Sequence, residues 1–168
     1  MTKTNIGPTV AALTDAEIGR LKALCKEFEP DRAIDIGTYR GGSACIMQEM
    51  GVEKITSYDV RDCNPPVLPG IEYVRGNVFR RPTAQRIIDD CKAPGRVLLF
   101  CDGGCKPGEI LCFAPNLKPG DVVAGHDFHD EGDDGKEGFA LNVVEPLLSQ
   151  IGFRYLGCVE RMVSWVKE

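Results

Sequence analysis

The chain has 168 residues, with 20 Lys and Arg against 25 Asp and Glu for a formal charge of −5, and is 43% hydrophobic with 7% aromatic residues. That is one domain's worth of material, enough to bury a core without disulfide or metal staples. The acidic balance argues against a nucleic-acid footprint or a polybasic membrane contact. No apolar run approaches the ~20 residues of a spanning helix, and the segment from Met1 to Val10 lacks the apolar stretch of a signal peptide, so a soluble cytoplasmic protein is expected. The eight cysteines are spread through apolar segments and read as reduced thiols rather than as a disulfide framework.

Apolar segments alternate between short β-like runs and longer helical ones. Leu13 to Phe28 carries apolar residues at helical spacing behind the capping candidates Thr14 and Asp15, and ends before Pro30. Arg32 to Ile36 reads as a strand, Gly37 to Gly42 as a glycine-rich turn, and Ser43 to Met50 as a helix. Strands follow at Lys54 to Asp59 and Ile71 to Arg75, joined by a Pro-rich connector, then a helix at Thr83 to Cys91. Arg96 to Cys101 is continuously apolar after its first residue, as a parallel strand buried on both faces should be. Gly108 to Asn116 reads as a helix, Asp121 to Gly125 as another buried strand, and His126 to Gly138 as an acidic loop. Glu137 to Gln150 is predicted helical, kinked or restarted at Pro146. Phe153 to Leu156 and Val159 to Lys167, separated by Gly157 and Cys158, are too close for a parallel crossover and must pair antiparallel. The pattern predicts a single domain over 1–168, a three-layer α/β sandwich with a mostly parallel sheet and a C-terminal antiparallel hairpin, in which 1–30 is a helical N-terminal segment and 31–168 the core.

In such a sheet, ligands bind beyond the carboxyl ends of the strands, near the point where strand order reverses. Those ends carry Asp35 with the glycine turn, Asp59, Gly76-Asn77, Asp102-Gly103-Gly104 and His126-Asp127. The turn from Asp35 to Ser43 (DIGTYRGGS) would let backbone N–H groups approach a ligand near a helix N-terminus. Tyr39 stands where a dinucleotide fingerprint has its second glycine, which disfavours a pyrophosphate. Asp59 follows at the second strand end, where a carboxylate accepts hydrogen bonds from ribose hydroxyls. The loop from Asp127 to Glu137 has six acidic residues and reads first as a solvated surface loop, with a lid or cation role as the alternative. A zinc site built from Cys101, Cys105, Cys112, His126 and His129 has loose spacing and is disfavoured.

DIGTYRGGS, the Asp59 strand end, FCDGG and LKPGDVVAGHDF together resemble the class I S-adenosylmethionine-dependent methyltransferases, in particular the cephalosporin hydroxylase-like, macrocin-type and catechol-type small-molecule O-methyltransferases. The resemblance runs from Arg32 to Asp127 and implies a Rossmann-like seven-stranded sheet. It implies S-adenosylmethionine as cofactor, with Asp35, Gly37, Thr38, Tyr39, Gly41 and Ser43 at its amino-acid end, Asp59 on the ribose, Asn77 near the adenine and Asp102 facing the reacting centre. It further implies a divalent cation, Mg²⁺ or Mn²⁺, on Asp102, His126 and Asp127, although a histidine stands at 126 where an acidic or amide-flanked ligand is commoner. Cys105 occupies a place often basic, with Lys106 next to it. The implied reaction is attack of an acceptor hydroxyl on the sulfonium methyl group, with Asp102, Lys106, His126 and His129 as the catalytic candidates and the last three as candidate bases. The acceptor would be a small hydroxylated molecule such as a sugar or natural product. The short N-terminal region leaves the acceptor pocket open, closed by the acidic loop, or completed by a second copy in a homo-oligomer. A cofactor-binding domain without catalysis and a dinucleotide-dependent oxidoreductase are the competing readings.

Overall fold

The computed structural model describes residues 4–6, 9–129 and 139–168. Seven strands form one sheet: β1 (Arg32–Ile36), β2 (Lys54–Asp59), β3 (Ile71–Arg75), β4 (Val97–Cys101), β5 (Val122–Gly125), β6 (Phe153–Val159) and β7 (Met162–Lys167). Their spatial order is β6-β7-β5-β4-β1-β2-β3. The first five run parallel to one another, and β7 is antiparallel to both β5 and β6. Strand order reverses between β1 and β4, which places the ligand-binding crevice at the ends of those two strands.

Alternate residues of each strand feed opposite cores. Ile34, Ile36, Leu99, Cys101, Val123 and Trp165 point to one face, where α3 (Thr83–Lys92), α4 (Lys106–Phe113) and α5 (Glu145–Gln150) pack. Ala33, Ile55, Leu98, Phe100, Ala124 and Val166 point to the other, covered by α1 (Asp15–Phe28) and α2 (Gly42–Glu49). The central strand β4 is buried at every position, as its unbroken apolar sequence requires. The three-layer arrangement is the one expected.

Several boundaries differ from expectation for identifiable reasons. Residues 4–6 and 9–11 are not helical: Thr4–Ile6 and Thr9–Ala11 pair antiparallel, in keeping with their β-branched residues. Helix α4 starts at Lys106, two residues before the expected Gly108, because Pro107 is tolerated in a first turn. A 3₁₀ turn, Ala114–Asn116, carries the chain on past its end. The long helix expected over Glu137 to Gln150 shrinks to α5, with Pro146 in its first turn, while Leu141–Val143 form a 3₁₀ turn and 137–138 lie outside the described residues. The terminal hairpin turns at Glu160-Arg161 rather than at Gly157-Cys158. Gly157 instead takes a left-handed φ of 114° where the β6–β7 register slips, so the glycine marks a bulge. The eight cysteines are free thiols.

Candidate active site

The carboxyl ends of β1, β2, β3 and β4 open into a cavity of about 690 Å³, within the usual range for a small-molecule site. Gly37, Tyr39, Asp59, Asn77 and Asp102 line it together, so five of the expected cofactor residues share one space. Asp35, Thr38, Gly41 and Ser43 do not line it.

Asp35 lies beneath the turn rather than in the cavity. It is fully buried and accepts hydrogen bonds from Ser43 Oγ at 2.9 Å and Ser57 Oγ at 2.5 Å, while Thr38 Oγ1 and Ser57 Oγ are 2.7 Å apart. Burial, offset in part by these donors, pushes its pKa up to about 7. Both its carboxyl oxygens accept hydroxyls from inside the protein, so it braces the glycine turn from beneath. The turn itself is pinned by Gly37 N–H donating to the Tyr58 carbonyl at 2.8 Å and Asp102 N–H donating to the Ile36 carbonyl at 2.7 Å. Gly37 has a φ of 104°, and a side chain there would collide with the Asp102 carbonyl.

Asp59 receives the Tyr39 N–H at 3.1 Å on one oxygen and the Arg61 N–H at 2.9 Å on the other. A carboxylate has about four lone-pair positions, so each oxygen retains capacity for a hydroxyl donor. Tyr39 takes a left-handed φ of 45° and remains 41% exposed at the cavity wall. The Asn77 side-chain oxygen accepts the Phe79 N–H at 2.9 Å, so a base at this wall would meet the amino group of Asn77.

Two contributors were missed in the sequence. Phe79 lines the cavity, is 45% exposed, and stacks on Phe113 with centroids 6.4 Å apart and planes 18° apart. Its signal was an aromatic residue four positions after the last residue of the third strand. Glu109 is buried and accepts the N–H groups of Gly103 at 3.1 Å and Cys105 at 3.0 Å, shaping the loop after β4. Burial raises its pKa above the ordinary carboxylate value, with those two donors opposing. No motif in the sequence singled it out.

Beside the cavity lies a charged cluster. His126 is 2% exposed, and its Nδ1–H and Nε2–H donate to Asp102 Oδ1 and Glu17 Oε1, each at 3.1 Å. Glu17 comes from α1, where its other oxygen accepts the Thr14 N–H at 2.8 Å while Thr14 Oγ1 accepts the Glu17 N–H at 3.3 Å. One carboxylate thus completes a helix capping box and anchors the imidazole. Burial opposes the imidazolium, but the hydrogen bonds and charges of Asp102 and Glu17 outweigh it and push the pKa up to about 9. With no cation bound, this balance favours the doubly protonated imidazole. Burial likewise opposes charge on Glu17 and Asp127, yet their hydrogen-bonded partners keep both below the usual carboxylate value.

Lys106 Nζ is 2.8 Å from Asp127 Oδ2 and 3.6 Å from Asp102 Oδ1, and Arg161 also pairs with Asp127. Those partners overcome the effect of burial and raise the Lys106 pKa, which favours the ammonium form. His129 ends the short strand Phe128–His129, which pairs with Phe139–Ala140. The rest of the acidic loop, 130–138, lies outside the described residues. Asp102, His126 and Asp127 offer one ligand atom each, all within 4.8 Å of one another, a spacing that can hold a cation. The cysteine site is not formed: Cys101 is fully buried in β4, whereas Cys105 and Cys112 are exposed.

The strand order, the ligand crevice at its reversal and the antiparallel last strand define a nucleotide-cofactor-binding α/β fold of the methyltransferase type. The model of the FtsJ-like methyltransferase family matches residues 18–126, from α1 to His126, and the chain belongs to that family. No curated protein matches the sequence. Among solved structures, a Staphylococcus aureus protein assigned as a caffeoyl-CoA O-methyltransferase is 15% identical, with 94% of this chain and 86% of that one covered and a TM-score of 0.66. An O-methyltransferase from Bacillus cereus, solved with SAH, is 14% identical over 92% of this chain and 82% of its own, with a TM-score of 0.63. A methyltransferase of mycinamycin biosynthesis, solved with Mg and SAH, is 15% identical over 90% of this chain and 48% of its own, with a TM-score of 0.59. These similarities establish the fold. Among the described residues, no helix is long and apolar enough to cross a membrane.

Proposed function

We propose that the chain binds S-adenosylmethionine in the cavity above β1, β2 and β4 and transfers its methyl group to a hydroxyl of a small molecule. The observation that carries this reading is the convergence of the Gly37 turn, Asp59 and Asp102 on one cavity. The cofactor supplies an electrophilic methyl group on a sulfonium. Asp59 would take the ribose hydroxyls on its remaining lone pairs, and Phe79 would offer its ring to the base, with the Asn77 amino group at the base edge. The turn held by Asp35, Ser43 and Ser57 presents backbone rather than side chain to the amino-acid end.

Asp102 is the carboxylate that both borders the cavity and touches the charged cluster, so it is assigned to orient the acceptor hydroxyl and accept its hydrogen bond. Methyl transfer needs oxygen, carbon and sulfur in line, and the enzyme's contribution is chiefly that alignment. The donor set also suits a divalent cation: the Glu17 carboxylate anchors Nε2 of His126, which leaves Nδ1 turned toward Asp102 and Asp127, as in carboxylate–histidine–metal arrangements. Asp102, Asp127 and His126 would hold such an ion once Nδ1 of His126 had given up its proton, and it would lower the pKa of a bound hydroxyl. The similar structure named as an O-methyltransferase supports the acceptor class, and the similar methyltransferase solved with Mg and SAH supports the cation.

The test is incubation with methyl-labelled S-adenosylmethionine and separate panels of hydroxyl, amine and thiol acceptors. Label is expected in the hydroxyl panel. Label confined to amines or thiols would overturn the acceptor class, and no transfer to any panel would favour a binding domain without catalysis.

A further inference from the structure

Lysine at the first position of α4 is locally disfavoured, because a helix N-terminus carries partial positive charge and prefers acidic side chains. Lys106 is nonetheless held there, only 12% exposed at its side chain, with its ammonium 2.8 Å from Asp127 and 3.6 Å from Asp102. Those are two of the three residues whose spacing can hold a cation. The carboxylates Asp102, Asp127 and Glu17 face Lys106, Arg161 and His126, so the cluster already contains its own counter-charges.

We propose that Lys106 is the resident cation of this site, and that a divalent cation binds only by displacing its ammonium from Asp102 and Asp127. Both cations need the same carboxylate oxygens, and two positive charges a few ångströms apart repel strongly in a partly buried setting. The lysine stem has four rotatable carbons, so the ammonium can swing away when a stronger cation enters. The displaced amine would then stand at the rim of the cavity, beside Cys105, which lines it. The inference rests on the reading of Asp102, His126 and Asp127 as the cation site of the proposed methyltransferase.

Mn²⁺ binding, followed by calorimetry or by the loss of the free-ion electron-spin signal, tests it on the wild type, Lys106→Met and Lys106→Arg. Lys106→Met should bind Mn²⁺ at least ~10-fold more tightly than the wild type, and Lys106→Arg should remain weak because it restores the positive charge. Adding Asp127→Asn to Lys106→Met should abolish the gain. Equal affinity in the wild type and Lys106→Met, or no binding in Lys106→Met, would overturn the proposal. A second measurement needs no variant: acetylation of Lys106 by acetic anhydride, read by peptide mass spectrometry, should increase several-fold when Mn²⁺ saturates the wild type. Unchanged Lys106 labelling at saturation would contradict displacement. Melting with S-adenosylhomocysteine, run in parallel without metal, reports on the cofactor reading separately.

Discussion

At the scale of single residues, the glycine turn and the carboxylates around it carry different kinds of information. Gly37 is required by geometry: its φ is 104° and a methyl group would meet the Asp102 carbonyl. Gly37→Ala should therefore destabilise the protein by at least about 1–3 kcal/mol, lowering the melting temperature by several degrees and weakening cofactor binding. Asp59→Ala removes a carboxylate that the account assigns to ribose hydroxyls. Since hydrogen bonds to charged groups contribute about 1.5–3 kcal/mol, affinity for S-adenosylhomocysteine in calorimetry should fall roughly 10- to 100-fold. Asp35 shows what a sequence conveys poorly. Its place at a strand end was legible, but only the three-dimensional packing shows that Ser43 and Ser57 enclose it. Its pKa is raised from 3.8 to about 7, so the folded state favours the protonated form. Stability from this group is full below the unfolded pKa near 4 and is lost as pH rises through about 7. Thermal melting should lose of order a few kcal/mol across that window, and Asp35→Asn should flatten the dependence there.

At the scale of elements, the helix α1 links the N-terminal part of the chain to the site. Thr14 and Asp15 were legible as capping candidates, and Thr14 forms the box with Glu17. The reach of Glu17 Oε1 to His126, 109 positions away in sequence, was not legible, because local periodicity carries no information on such contacts. Thr14→Ala should cost about 1 kcal/mol in denaturant unfolding. Glu17→Gln should cost more, because it also removes the charge that faces His126. The helix α5 and the terminal turn show the limits of local signals in a different way. Pro146 was rightly read as a place where a helix can restart, but the residues before it join a short strand and a 3₁₀ turn. Gly157 looked like a turn glycine because a bulge and a turn need the same positive φ.

At the scale of the whole molecule, the sheet order and the site rim follow from features that were strong in the sequence: an unbroken apolar β4, four further parallel strands, and polar or glycine residues at their ends. Two cores flank one sheet, and Trp165 sits fully buried in one of them. If the chain folds as a single domain, urea unfolding followed by Trp165 fluorescence and by backbone circular dichroism should give coincident transitions, and separate transitions would show independent units. What the sequence left open was the charged cluster, because the residues that neutralise it come from α1, α4 and the β6–β7 turn and meet only in the fold. The central claim is that the cavity at the reversal of strand order takes S-adenosylmethionine through Asp59. Its most direct test is thermal melting of the wild type and Asp59→Ala with S-adenosylhomocysteine, with NAD and with neither. At ~100 times the dissociation constant a ligand adds ~2.7 kcal/mol, so S-adenosylhomocysteine should raise the wild-type midpoint by roughly 5–10 °C, with a much smaller rise in Asp59→Ala and none with NAD. A rise with NAD alone, or an equal rise in Asp59→Ala, would contradict the account.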